Sequence, residues 1–225
     1  MTWISDPHIL LTVRGTTIPS DRGATIELHN QTAGSDEGVA AARALGDLSH
    51  SVFTPILDAP GAEKGEILFI DVWKNAEGLQ TFFSNEQVQM GASMLFSERE
   101  AAIWMPAQGA FSFDLPPTTD RTTRYLGLAR GPIADPAHAV SVFRNVMSDS
   151  LADARRRGQL SHQIYVSVPM SDTPEPMELL GIDIWSDLEG MGEHYASLTG
   201  FESAFSGEPQ TSVWEQGAGG NWREW

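Results

Sequence analysis

Two histidine–aspartate pairs stand at one spacing in this 225-residue chain. His50 precedes Asp71 by 21 positions, and His162 precedes Asp183 by the same 21. Each aspartate lies in an apolar run, Ile70-Asp71-Val72-Trp73 and Ile182-Asp183-Ile184-Trp185. A carboxylate buried there costs several kcal/mol, of order 3–5, unless it is paired. If the two runs are hairpin strands, residue 52 is expected opposite Asp71 and residue 163 opposite Asp183. Each histidine then lies within about two rungs of its aspartate, roughly 5–8 Å at Cβ. Such an Asp–His pair fixes the imidazole tautomer and raises its basicity, which suits a general base. The same pair also suits a structural lock, since ion-pair networks perturb such groups as catalysis does. Both readings stand on the sequence.

Three further groups have the types for chemistry. His194, in "EGMGEHY", has Phe82 at its counterpart in the first half. His162, Asp183 and His194 could therefore form two imidazoles and a carboxylate, a set that suits zinc or non-haem iron, without any tight spacing motif. His29 and Asn30 are adjacent in "IELHNQTAG", offering a base beside an amide donor that could bind a substrate oxygen. A His-Asn step near a helix end equally well caps carbonyls. Trp73, Trp185 and Tyr165 are candidates to line a ligand pocket, although aromatics at strand positions usually build core.

The elements that must position these residues come from a repeat. "EILFIDVWKNAEGLQTFF" (66–83) and "ELLGIDIWSDLEGMGEHY" (178–195) match at an offset of 112, as do "ARALGDLSH" (42–50) and "ARRRGQLSH" (154–162). Two blocks at one offset mean duplication, and a period this long means two tandem domains, 1–112 and 113–225. Each half reads as strand, helix, two strands, helix, strand. "HILLTV" and "RYLGLA" open them. In the second half Asp135 caps a helix that begins at Pro136 and stops at Gly158. In the first half Gly34 divides that helix into two shorter ones. "SHSVFTPIL" and "SHQIYVSV" lead to the strands bearing the aspartates, the next helices start at 75 and 187, and Trp104 and Trp214 mark the last strands. "FSFDLPPTTD" (111–120) reads as the linker. This β-α-β-β-α-β order is the ferredoxin-like split unit, an α+β class. The tryptophans of the final "GGNWREW" are expected to dock on the body or on a neighbouring chain.

Composition limits the partners. Lys and Arg number 14 against 30 Asp and Glu, a formal net charge of −16, with −8 in each half. A surface this negative repels nucleic-acid backbones and anionic lipid. The absence of cysteine removes disulfides, thiolate metal sites and cysteine nucleophiles. The opening "MTWISDPHILLTVRG" has neither the basic start of a signal peptide nor the length of a membrane span, so a cytoplasmic protein is expected. P-loop, G-x-G-x-x-G, G-x-S-x-G and H-E-x-x-H patterns are absent.

With its repeated D-x-W strand and the helix that follows it, the chain resembles the dimeric α/β barrel superfamily, above all its antibiotic-biosynthesis-monooxygenase-like domains. The resemblance spans both halves. It implies two antiparallel sheets packed into a barrel, here two tandem ferredoxin-like repeats in one chain, forming an internal pseudo-dimer or a homodimer. It further implies a monooxygenase-like enzyme acting on a small aromatic or polyketide-like molecule without a bound organic cofactor. In that picture His50 or His162 is the base, oriented by Asp71 or Asp183, and His29, Asn30 or His194 contacts the substrate oxygen. Two alternatives remain open: a non-catalytic small-ligand-binding or stress-associated barrel, and a metal or haem enzyme with His194 near the position of an iron ligand.

Overall fold

The structure is a computed structural model that describes residues 8–56, 59, 61, 63–113, 123–169, 176–216 and 221–225. The first repeat runs β1 (Ile9–Thr17), α1 (Arg22–Gln31), α2 (Asp36–Ala44), β2 (Asp47–Pro55), β3 (Glu66–Trp73), α3 (Ala76–Phe83), α4 (Glu86–Leu95) and β4 (Phe96–Pro106). The second runs β5 (Arg124–Pro132), α5 (Pro136–Arg156), β6 (Gln159–Val168), β7 (Glu178–Trp185), α6 (Leu188–Ser197), a short 3-10 turn (Phe201–Ala204) and β8 (Gln210–Gln216). The expected β-α-β-β-α-β order holds in both. All paired strands named below are antiparallel, and the hydrogen-bonded order β1-β3-β2-β8-β5-β7-β6-β4 closes into an eight-stranded barrel.

Local chemistry explains the helix boundaries. Asp135 accepts from the N–H groups of Ala137 and His138, and Pro136 occupies the first turn of α5. Where α5 continues for 21 residues, the first repeat stops α1 and restarts α2 with Ser35 as the cap, its hydroxyl accepting from Gly38 N–H. Gly46 and Gly158 end the preceding helices at φ +101° and +99°, a left-handed conformation that favours glycine. Their carbonyls accept from Lys74 N–H and Ser186 N–H, so each helix end is tied to the end of the aspartate-bearing strand.

The chain divides into two compact units. Among the described residues the first gathers 8–55, 63–103 and 221–225, and the second gathers 56, 59, 61, 104–113, 123–169 and 176–216. In the first unit β3 pairs with β1 and β2, and Leu11, Val13, Val52, Ile67, Phe69 and Trp73 build the core. In the second unit β5 pairs with β7 and β8, β7 also pairs with β6, and Val140, Phe143, Ile164 and Leu179 lie in one core cluster with Trp185 and Met191 in another. From residue 114 the expected linker lies outside the described residues. Among the described residues no helix is long and apolar enough to cross a membrane.

Candidate active site

The hairpins bring each histidine to its aspartate more closely than the spacing predicts. His50 is directly opposite Asp71, and His162 directly opposite Asp183. The expected partners, residues 52 and 163, instead face Phe69 and Ile182. A register shift between Asp47 and Ser49 recurs between Gln159 and Ser161, and it sets the first turn of each strand apart from the rest of the ladder.

In the second unit Asp183 is cradled by three donors. His162 Nδ1 lies 2.6 Å from Oδ1, Gln159 Nε2 donates to Oδ1 at 2.9 Å, and the Tyr195 hydroxyl donates to Oδ2 at 2.8 Å. Trp185 Nε1–H donates in turn to the Tyr195 oxygen at 3.2 Å. Burial and the Asp183 charge push the Tyr195 phenol well above its ordinary value, so it stays a donor. With Asp183 an acceptor on both oxygens, His162 carries its proton on Nδ1. On a neutral ring with that tautomer, Nε2 is the nitrogen that bears the lone pair. That atom is buried and has no hydrogen-bond partner among the described residues.

The first unit is wired differently. His50 Nδ1 lies 2.5 Å from Asp71 Oδ1, His50 Nε2 lies 3.1 Å from His29 Nε2, and His29 Nδ1 lies 2.9 Å from Asn30 Oδ1. Asn30 Nδ2 donates to the Asn221 carbonyl and its Oδ1 accepts from Arg223 N–H, which fixes the amide orientation. His29 therefore donates from Nδ1 and accepts at Nε2, and His50 must carry hydrogen at Nε2. Burial first, then the charge of His50, lowers His29 to about 4, against a smaller opposing pull from Asn30. Burial also opposes a charge on His50, but the Asp71 carboxylate, with Asp47 and Glu224, outweighs it and raises that imidazole. The consistent state is an imidazolium at His50 between a carboxylate and a neutral His29.

The two units differ at equivalent positions. Gln159 corresponds to Asp47 and Tyr195 to Phe83. Lacking the hydroxyl, the first unit leaves Trp73 Nε1 without a partner among the described residues. Asp47 is buried, and burial followed by the Asp71 charge raises it to about 7. Each pair is also covered by an aromatic residue. Phe113 and His162 exchange main-chain hydrogen bonds with their rings 6.4 Å apart, and Trp225, 112 residues further on, does the same with His50 at 4.7 Å.

Several expected members fall elsewhere. His29 and Asn30 join the His50–Asp71 pair. His194 does not join His162 and Asp183: its ring packs on Trp185 at 5.3 Å and its Nδ1 faces Asp153 at 3.6 Å, beyond a hydrogen bond. Burial lowers this imidazole, against the pull of Asp153 and Asp183. No group of three His, Asp or Glu side chains among the described residues is placed to hold a metal ion. The His194 ring is buried. Tyr165 lies on the opposite face of β6 from His162 and donates to Gln163 Oε1. Trp73 and Trp185 are fully buried beside the aspartates. Gln159, Asp47 and the covering aromatics were not among the expected site residues, although reading the 112-residue offset through to 159, 113 and 225 brings them out.

An α+β chain whose repeats close an eight-stranded antiparallel barrel has the ferredoxin-like, dimeric α/β barrel fold. Solved structures agree. An anthrone oxidase-like protein superposes with a TM-score of 0.64 at 12% identity, over 96% of this chain and 93% of that one. A candidate monooxygenase from Lactobacillus acidophilus NCFM gives 0.58 at 12% identity, over 93% of each chain. A mutant chlorite dismutase from Candidatus Nitrospira defluvii, in complex with cyanide, gives 0.55 at 9% identity over 95% and 91%. No family model and no curated protein matches the chain.

Proposed function

We propose that the chain is a monooxygenase-like enzyme for a small aromatic or polyketide-like substrate, working by acid–base chemistry without a bound organic cofactor, and that its base is His162. The observation that carries this reading is the unpartnered Nε2 of His162, behind which Asp183 is held by Gln159 and Tyr195. A base needs its tautomer fixed on one side and a lone pair unspent on the other. His50 has spent its second nitrogen on His29. The names of two neighbours, anthrone oxidase-like and candidate monooxygenase, support the reaction class.

In this reading Nε2 takes a proton from a methylene or phenol made acidic by an adjacent carbonyl or ring. The carbanion reduces dioxygen, and the resulting peroxide loses water to leave a carbonyl. The methylene carbon loses two hydrogens and gains one oxygen atom, and the other oxygen leaves as water, so the substrate supplies all the electrons. His162, charged after the first step, returns its proton to the departing hydroxide.

Oxygen uptake with 1,8-dihydroxyanthrone and a panel of related hydroxyaromatics tests the proposal. Wild-type protein is expected to consume oxygen, and His162→Gln to lose at least about 100-fold while keeping its fold. An unchanged rate in His162→Gln, or no uptake by the wild type with any of the panel, refutes it in favour of a non-catalytic barrel. The first unit supports that second reading for its own half: its relay is fully hydrogen-bonded, as a structural lock requires.

A further inference from the structure

The five residues that cover the His50–His29 relay make an unusual seal. Asn221 and Arg223 grip Asn30 through main-chain groups, Glu224 Oε1 accepts from Val52 N–H at 2.7 Å, and Arg223 pairs with Asp36. Trp225 stacks on His50 at 26°, and Trp222 meets His29 edge-on at 5.3 Å. The polar fit beneath these rings is poor. Trp222 Nε1, Trp225 Nε1 and Asp47 Oδ1 are all buried, and none has a hydrogen-bond partner among the described residues. The Trp225 indole comes near enough to Asp47 to lower that carboxyl slightly, yet it falls outside hydrogen-bond geometry. Three orphaned polar atoms around one small segment offset much of what its stacking contributes. In the second unit Phe113 lies over His162 and brings no such donor.

We propose that the segment from Trp222 to Trp225 occupies a ligand site of the first unit, and that a planar aromatic molecule bearing a hydroxyl group competes with it there. The recognition chemistry is already built. His50 and Phe69, with ring centroids 5.1 Å apart, offer stacking surfaces, and the unpaired Asp47 oxygen accepts from a hydroxyl. Such a ligand gives Asp47 the full hydrogen bond that the Trp225 indole does not reach. The site is separate from His162 and goes beyond the catalytic proposal, since it requires no turnover.

The test compares the full chain with one ending at Gln216, using 2-naphthol as the probe and calorimetry as the readout. A ligand that binds only the uncovered state is weakened by the uncovered fraction. If the cover is displaced less than a tenth of the time, 2-naphthol binds the shortened chain at least about tenfold more tightly. A synthetic Asn-Trp-Arg-Glu-Trp peptide is expected to compete with it, and Asp47→Ala, which removes the acceptor, to abolish the preference for 2-naphthol over naphthalene. Equal affinity in a folded shortened chain overturns the proposal. Should the shortened chain not fold, full-length Trp225→Ala decides: indole is expected to raise its melting temperature by a few degrees and leave wild type unchanged, and no response to indole refutes the site.

Discussion

Tyr195→Phe removes one oxygen atom and gives the second unit what the first already has. The lost hydroxyl donates to Asp183 Oδ2 at 2.8 Å and accepts from Trp185 Nε1 at 3.2 Å. A hydrogen bond to a charged group contributes about 1.5–3 kcal/mol, and a buried N–H left without a partner costs about 1–3 kcal/mol. Some relaxation is expected, because Trp73 and Phe83 tolerate the same arrangement at 6.1 Å between rings. The variant should therefore lose about 2–5 kcal/mol of stability, read from urea titrations of intrinsic fluorescence with an unchanged slope. Asp183 keeps Gln159 and His162, so the fold should persist. The reciprocal Phe83→Tyr should gain about 1 kcal/mol by giving Trp73 Nε1 an acceptor. If Tyr195→Phe lies within about 0.5 kcal/mol of wild type, the hydroxyl does not hold Asp183 and the cradle argument fails.

Replacing Gly127 with Ala should mimic that variant, since a methyl there overlaps the Tyr195 hydroxyl and comes 2.8 Å from its ring; a normal Tyr195 environment by NMR would refute it. His50→Ala should cost about 3–5 kcal/mol, more than His162→Ala, because Asp71 has no counterpart of the Gln159 and Tyr195 donors; paired denaturation curves compare the two. His29 is lowered to about 4, so its contribution is full above the ordinary 6.5 and is lost as pH falls from 6.5 to 4, on the order of 3 kcal/mol. Asp47 is raised to about 7, so its contribution is full below about 4 and is lost as pH rises to 7, on the order of 4 kcal/mol. Stability measured against pH should consequently fall more steeply toward acid in Asp47→Asn than in wild type, and less steeply in His29→Gln; parallel profiles for all three would contradict these assignments.

Much of the architecture is written in the chain itself. Alternation, caps and the glycine stops at 46 and 158 are local properties, and they give the element order, the division of the first helix near Gly34 and the burial of Asp71, whereas Asp183 is only half-buried. Duplication then forces the same hairpin twice, so the sequence alone brings each histidine close to its aspartate. It could not fix the register to the residue, because pairing between His50 and Phe53, and between His162 and Val166, is counted from the turn, whose centre the loop sequence does not reveal.

What only the tertiary structure decided is how each histidine's second nitrogen is used. His29 lies 21 residues before His50, on a different element, and its Nε2 meets His50 through packing of α1 over the sheet. His194 has the residue type for a site, yet its helix turns it toward Asp153. Those outcomes depend on where helices settle on a sheet, which sums many weak contacts from distant parts of the chain. The sequence therefore determined which groups must be paired, while the packing determined that His50 Nε2 meets His29 and that His162 Nε2 is buried without a partner among the described residues.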